Sequence, residues 1–446
     1  YFIKQLKDRG IYYYMDQTVY RKVYDADGIP SMGVEPGLKG PTYYDEDVIA
    51  MQNEYSRQLM TWTNPRTGYT IGPDTELKAM FNEWLKKKYK NDKELIDAWN
   101  TNPDERKRYG LCQGEPRFHY RKESLTDNSV EVERYFERRD WCTDGRNKDT
   151  TQFLMEIQEK YFNDRAAYMR ELGVRCPITG CTVWSQYGNE SMYAMLASNR
   201  GTDFIDSHHY LNHPSGGWHL EPGTTSQAIS SILDDQNLGF FGKAANLTAY
   251  GKPRVISEWN ICDPTPSISE GILIMSAMGA MQGWHPIMFQ YTETEKLNSE
   301  RYGNNQVYIE DFMSMDSHPA RKAMAAAAAI AFRRGDVTEA DSGCFIAHGT
   351  DYSAVGAQTI PDSAALAMTG KTGVIIGDES GADAKYLDQS VKQKAESAAS
   401  GDNVFRSVTD ELVFDLKNGA FSLNTPKTQA ITGYKSGYTA ASAELS

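Results

Sequence analysis

Cysteine is scarce: six residues in 446, with no CxxC pair and no other metal-ligand spacing. A reduced, structural role is expected for them, and neither a metal nor a cofactor is expected in the chain. Cys176 and Cys181 fall on one expected strand, five residues apart, and so point to opposite faces. Basic charge is not in excess either. Lys and Arg number 47 against 60 Asp and Glu, for a net charge of −13, so the phosphate-neutralising patch of a nucleic-acid binder is not expected. Lys86-Lys87-Lys88 sits among acidic residues and reads as a solvated helix face. No apolar run approaches the ~18 residues of a membrane span. GxGxxG, P-loop and serine-elbow motifs are all missing, which excludes the commonest nucleotide and acyl-transfer signatures. The chain opens at Tyr1 in what reads as a helix, so the natural N-terminus, and any export signal with it, is expected to lie upstream.

The sequence does hold a run of alternating βα signals. Helices are expected over Phe2–Arg9, Asp47–Thr63, Thr75–Tyr89, Phe153–Leu172, Ser269–Gln282 and Ala320–Phe332. Apolar residues recur at three- and four-residue spacing in these segments, and Gly10, Gly173 and Gly335 close three of them. Strands are expected at Ile11–Met15, Cys176–Trp184, Asp203–Tyr210, Arg254–Trp259 and Pro286–Tyr291. After Gly335 the composition turns to Gly, Ser and Asp with short β-type runs, so a smaller all-β domain is expected over 336–446. The Ala-, Ser- and Lys-rich stretch Asp362–Ser400 carries no clear period.

Glu258 in Ser257-Glu258-Trp259-Asn260 ends a short apolar strand, where a charge is costly unless it is paired or used. Catalytic side chains of parallel barrels sit at such strand ends. The segment Lys252–Asn260 resembles the seventh-strand motif of clan A retaining glycoside hydrolases. Asp203–Tyr210 followed by His213-Pro214 is similar to the sixth strand of that clan, and Leu172–Gly180 is similar to the fifth. Phe332–Val337 resembles the barrel's closing stretch, and Phe421–Gln429 resembles the accessory β-domain of cellulase-like and agarase-like members.

The resemblance implies an α/β fold of the (β/α)8 TIM-barrel type over 1–335, followed by a β-sandwich-like domain over 336–446. It also implies hydrolysis of O-glycosidic bonds in a poly- or oligosaccharide, with Glu258 as nucleophile, in a secreted or cell-surface protein. Trp184, His209, Tyr210, Trp259, Asn260, Gln290 and Tyr291 are the expected substrate-binding residues, and Asp16 with Tyr20-Arg21 borders the same cleft. Trp284, at the opposite end of its strand, is expected in the core.

A retaining enzyme needs a second carboxylate about 5 Å from the first. In clan A it belongs to an Asn-Glu pair after the fourth strand. Here Thr67–Gly72 runs straight into the next helix, and strands one and two are missing as well, so the barrel is expected to be incomplete. Asn53-Glu54 and Asn82-Glu83 read as polar helix faces, Glu83 at ion-pair spacing from Lys87. Glu293 lacks an Asn before it. Glu190 of Asn189-Glu190, in a loop after the fifth strand, is left as the acid/base candidate. Three rivals remain. One is a carbohydrate-binding remnant without catalysis. Another is a metal-dependent hydrolase using His208, His209 and His213 with Asp206, although adjacent strand residues face opposite ways. The third is a scaffold or surface protein whose β-domain does the binding.

Overall fold

The computed structural model of the chain describes residues 49–50, 52–54, 73–99, 124–132, 136, 142–184, 192–213, 230–234, 238–263, 265, 267–289, 313, 318–349, 352, 360–377 and 380–433. The helix expected at Phe2–Arg9, the strand at Ile11–Met15, Asp16, Tyr20 and Arg21 lie outside these residues. So do Glu190, Gln290, Tyr291 and Glu293 among the expected site residues. The chain divides into two compact units, Tyr1–Cys176 and Pro177–Ser446.

In the first unit, α1 (Pro73–Lys88), α2 (Asp92–Trp99) and α3 (Asp144–Glu171) pack around one apolar cluster. Leu77, Phe81 and Leu85 recur at four-residue spacing on α1 and meet Leu95, Trp99, Phe153 and Leu154. Gly145 lies at a close approach of α3 to α2. A Cβ there would stand 2.5 Å from the Ala98 carbonyl oxygen, so only glycine admits the contact. Two surface readings change. Lys88 is no free solvated charge, since it donates at 2.8 Å to Asp149, a buried carboxylate that also takes Trp99 Nε1 and Tyr89 OH at 2.7 Å each. Asn82 is fully buried, not on a polar face. Its Nδ2 donates to the carbonyls of Lys78 and Val130, and its Oδ1 accepts from Val130 N–H. Glu83 pairs with Lys86 rather than with Lys87.

The second unit opens with β1 (Thr182–Trp184), α4 (Met192–Ser198), β2 (Ile205–Leu211) and α5 (Leu238–Asn246). It continues through β3 (Arg254–Ile261), α6 (Glu270–Gln282), β4 (Trp284–Phe289) and α7 (Pro319–Arg333). The strands form one parallel sheet in the order β1-β2-β3-β4, so each helix between them is a crossover. α6 is apolar nearly all round and buried along its length, as a helix between a sheet and a further layer must be. Trp284 is fully buried, as its position at the start of β4 implied.

Only residues 182–184 of the expected Cys176–Trp184 strand are extended. Pro177 and Gly180 oppose ladder formation before them. Cys176 and Cys181 therefore lie outside the strand, and their expected placement on opposite strand faces does not hold. The described strands make an open four-stranded sheet, and among them no closed barrel is found.

The segment after Gly335 is mixed rather than all-β. It holds β5 (Ile346–Ala347), α8 (Ile360–Thr369), β6 (Val374–Ile375) and α9 (Gln389–Ser400). Then come β7 (Val404–Arg406), β8 (Leu412–Asp415), β9 (Ala420–Asn424) and β10 (Gln429–Gly433). The last four form a separate antiparallel sheet in the order β10-β9-β8-β7. Its buried Phe405, Phe414 and Phe421 share one apolar cluster with Ile256, Trp259 and Met275 of the parallel half. Phe241 of α5 meets Phe414 edge-on at 5.8 Å, with α8 packed beside it.

Candidate active site

The site is built on one irregularity between β2 and β3. Ser207 pairs with Ile256 and His208 with Glu258, which leaves Ser257 as an extra residue on β3. Such a bulge twists the strand and re-aims its side chains. In a regular strand Ser257 and Glu258 would face opposite ways; here both reach the same row of β2, formed by Asp206, His208 and Tyr210 at two-residue spacing.

The contacts along this row are continuous. Buried Asp206 accepts from Thr182 Oγ1 at 2.9 Å, from Ser257 N–H at 3.0 Å and from Ser257 Oγ at 2.6 Å. Ser257 Oγ lies 3.0 Å from His208 Nε2, and His208 Nδ1 lies 3.1 Å from Glu258 Oε2. Tyr210 donates its phenolic hydrogen to the same Oε2. Burial, and then the bond to Glu258, push the Tyr210 phenol well above its ordinary range, so it stays a donor. Tyr210 stands edge-on to His213 at 5.7 Å, and Cys262 and Met313 pack around it. Glu258 keeps 33% of its side chain exposed, which makes it the reachable end of the row. Both polar contacts fall on Oε2, and among the described residues no donor reaches Oε1.

The opposite face of β2 is closed. Arg254 donates through Nη2 to Ser207 Oγ and, at 3.1 Å, to His209 Nε2, with Phe240 against the ring. His209 is 1% exposed. It is therefore a core histidine, and its expected role in sugar binding is corrected. The alternation that separates His208 from His209 also separates His209 from Tyr210, so His208 is Tyr210's partner on the site face.

Burial first, and the Arg254 charge second, hold the His209 ring well below its usual pKa. A depressed histidine is protonated first in the unfolded chain. Its contribution to stability is therefore complete above about pH 6.5 and is lost as pH falls below that value. The urea midpoint of the wild type is expected to fall between pH 7.5 and 5.5, by up to about 1.4 kcal/mol per unit from this group. His209→Gln is expected to flatten that slope, and equal slopes in the two proteins would contradict the assignment.

Trp259 and Asn260 are also corrected. Trp259 is 2% exposed and packs edge-on against Phe289 at 5.1 Å beneath α6, so it offers no stacking face. Asn260, fully buried, accepts from Arg321 of α7 through its Oδ1. Arg321 also donates to Ile261 O at 2.9 Å and to Asp263 at 3.3 Å, and His318 Nε2 stands 2.6 Å from Asp263 Oδ1 at ion-pair distance. Trp184 ends β1 in register with His208. Sequence reasoning missed Asp206, Ser257 and His208 as one unit. The two-residue spacing of 206, 208 and 210 was the available signal, whereas the bulge left none. No protein-family model matches the chain, and a search of curated proteins finds no match.

Proposed function

We propose that the chain is a glycoside hydrolase of the retaining, two-carboxylate type, acting on a poly- or oligosaccharide with Glu258 as nucleophile. One observation carries the reading: a carboxylate in a parallel strand, one-third exposed, has Tyr210 and His208 on one oxygen, and among the described residues no donor on the other. Holding Oε2 in this way orients Oε1 for attack on an anomeric carbon. As Oε1 bonds to that carbon the glycosidic C–O bond breaks, the leaving oxygen takes a proton from Glu190, and Oε2 becomes the carbonyl oxygen of the glycosyl ester while keeping the Tyr210 hydrogen bond. The likeness of Lys252–Asn260 and Asp203–Tyr210 to clan A strands seven and six supports this reading, as does the parallel neighbour relation of β2 and β3. In this proposal the parallel sheet is part of a (β/α)8 barrel, the 336–446 segment is its accessory domain, and Glu190 after β1 is the acid/base.

A second reading rests on a different observation. Asp206 is buried behind Ser257 and His208, so it cannot reach a leaving group, and Glu258 has no other carboxylate among its described contacts. Such a site would bind a glycan without cleaving it. Proton NMR of aryl β-glycoside hydrolysis separates the two readings. Turnover with retained anomeric configuration, lost in Glu258→Gln, is the expected result. Glycan binding with no turnover, unchanged by that substitution, would sink the enzyme reading.

A further inference from the structure

We propose that Asp206 and Ser257 are positioning residues that fix one proton of His208 on Nε2, so that a second proton, on Nδ1, makes the ring the ion-pair partner of Glu258. The donors and acceptors along the row fix this placement. Three donors converge on Asp206, the pattern of an acceptor-only carboxylate. Ser257 has one hydroxyl hydrogen, and the 2.6 Å contact commits it to Asp206. Ser257 Oγ then faces His208 as an acceptor, so Nε2 must carry hydrogen across the 3.0 Å contact. The other ring nitrogen stands 3.1 Å from an oxygen that already accepts from Tyr210. A bare ring nitrogen and a carboxylate oxygen at that distance repel, and a proton on Nδ1 turns the repulsion into an ion pair.

The consequence reaches the open oxygen. The ion pair with His208 and the Tyr210 hydrogen bond both engage Oε2, which leaves the carboxylate's Oε1 as the attacking atom, a step that rests on the glycosidase reading. The placement of the proton itself does not depend on that reading. Buried Asp206 thus acts on Glu258 through two links, and the bulge at Ser257 is what brings both links to one face. The charged and titratable groups around His208 among the described residues are Glu258 and Tyr210 on its Nδ1 side and Asp206 behind Ser257. His209 lies on the reverse of the strand, backed by Arg254 and Lys243.

Nitrogen-15 NMR of the full chain with labelled histidine tests the proposal directly, with His208→Gln identifying the signal. In the wild type at pH 7, His208 is expected to show hydrogen on both ring nitrogens. Ser257→Ala removes the link and is expected to release the hydrogen from Nε2, with Ser257→Thr restoring it. Asp206→Asn can donate to Ser257, turning the hydroxyl hydrogen toward His208, and is expected to leave the ring a proton on Nδ1 alone. A His208 signal with bare Nε2, or one indifferent to Ser257→Ala, would overturn the proposal even in an active enzyme. The expected NMR pattern in a chain without glycosidase turnover would leave the proton placement standing and reject the hydrolase reading instead.

Discussion

In the glycosidase reading, Glu258→Gln is expected to lower kcat/KM on aryl β-glycosides by on the order of 10⁵-fold, the scale of loss when a covalent nucleophile is removed. Glutamine keeps the shape and can still accept from Tyr210 through its amide oxygen, so the sheet around it should be undisturbed. The amide cannot supply a carboxylate oxygen for the glycosyl ester. Tyr210→Phe makes the useful contrast. It deletes the donor on Oε2 without touching Oε1, and loss of one such oriented donor costs about 10²-fold in kcat. Steady-state kinetics on both variants, with circular dichroism to confirm the fold, give the ordering. Equal losses would mean that the two residues act as one structural unit. A Tyr210→Phe enzyme slower than Glu258→Gln would remove Glu258 from the nucleophile's position altogether.

The order of elements was legible because burial imposes periods on sequence. The apolar runs ending at Tyr210 and Trp259 mark β2 and β3 to within two residues, and the glycine stops at Gly173 and Gly335 hold, with φ of 91° and 62°. The segment 362–400 was opaque for a physical reason. Its helices bury Ala364, Ala367 and Ala395, small side chains that pack closely while contributing almost nothing to a hydrophobic period.

The site was half legible. Glu258 and Tyr210 follow from strand position and two-residue alternation. Which face of β2 looked outward did not, because His208 and His209 are the same residue type with opposite fates. The bulge that aligns Ser257 with Glu258 is a property of backbone register between strands 50 residues apart, and no local pattern encodes it. Trp259 and Asn260 were misread for a related reason. Proximity in sequence to Glu258 suggested a shared cleft, but Trp259 is turned into the core and Asn260 is taken by an arginine from α7.

That arginine carries the last large expectation. Arg321 is fully buried, and its guanidinium bonds Asn260, the Ile261 carbonyl and Asp263 while lying 4.9 Å from the Phe289 ring centroid. Burial pulls its pKa down while Asp263 opposes the shift, as for a cation held in place by its counter-charge. Arg321→Met is expected to cost about 3–5 kcal/mol, because buried Asp263 loses its guanidinium counter-charge. Urea unfolding followed by fluorescence measures the loss. Adding Asp263→Asn to Arg321→Met should recover a large part of it, since the uncompensated charge is gone; no recovery would place the cost in lost packing against Phe289 instead. Asn260 is the register partner of Tyr210. In the glycosidase reading, freeing it by Arg321→Met is therefore expected to loosen Tyr210 and lower kcat at temperatures where the variant remains folded. The C-terminal end of β3 is thus held from two directions: Asp206 works through the bulge and Arg321 reaches in from α7, with Glu258 between them as the exposed group.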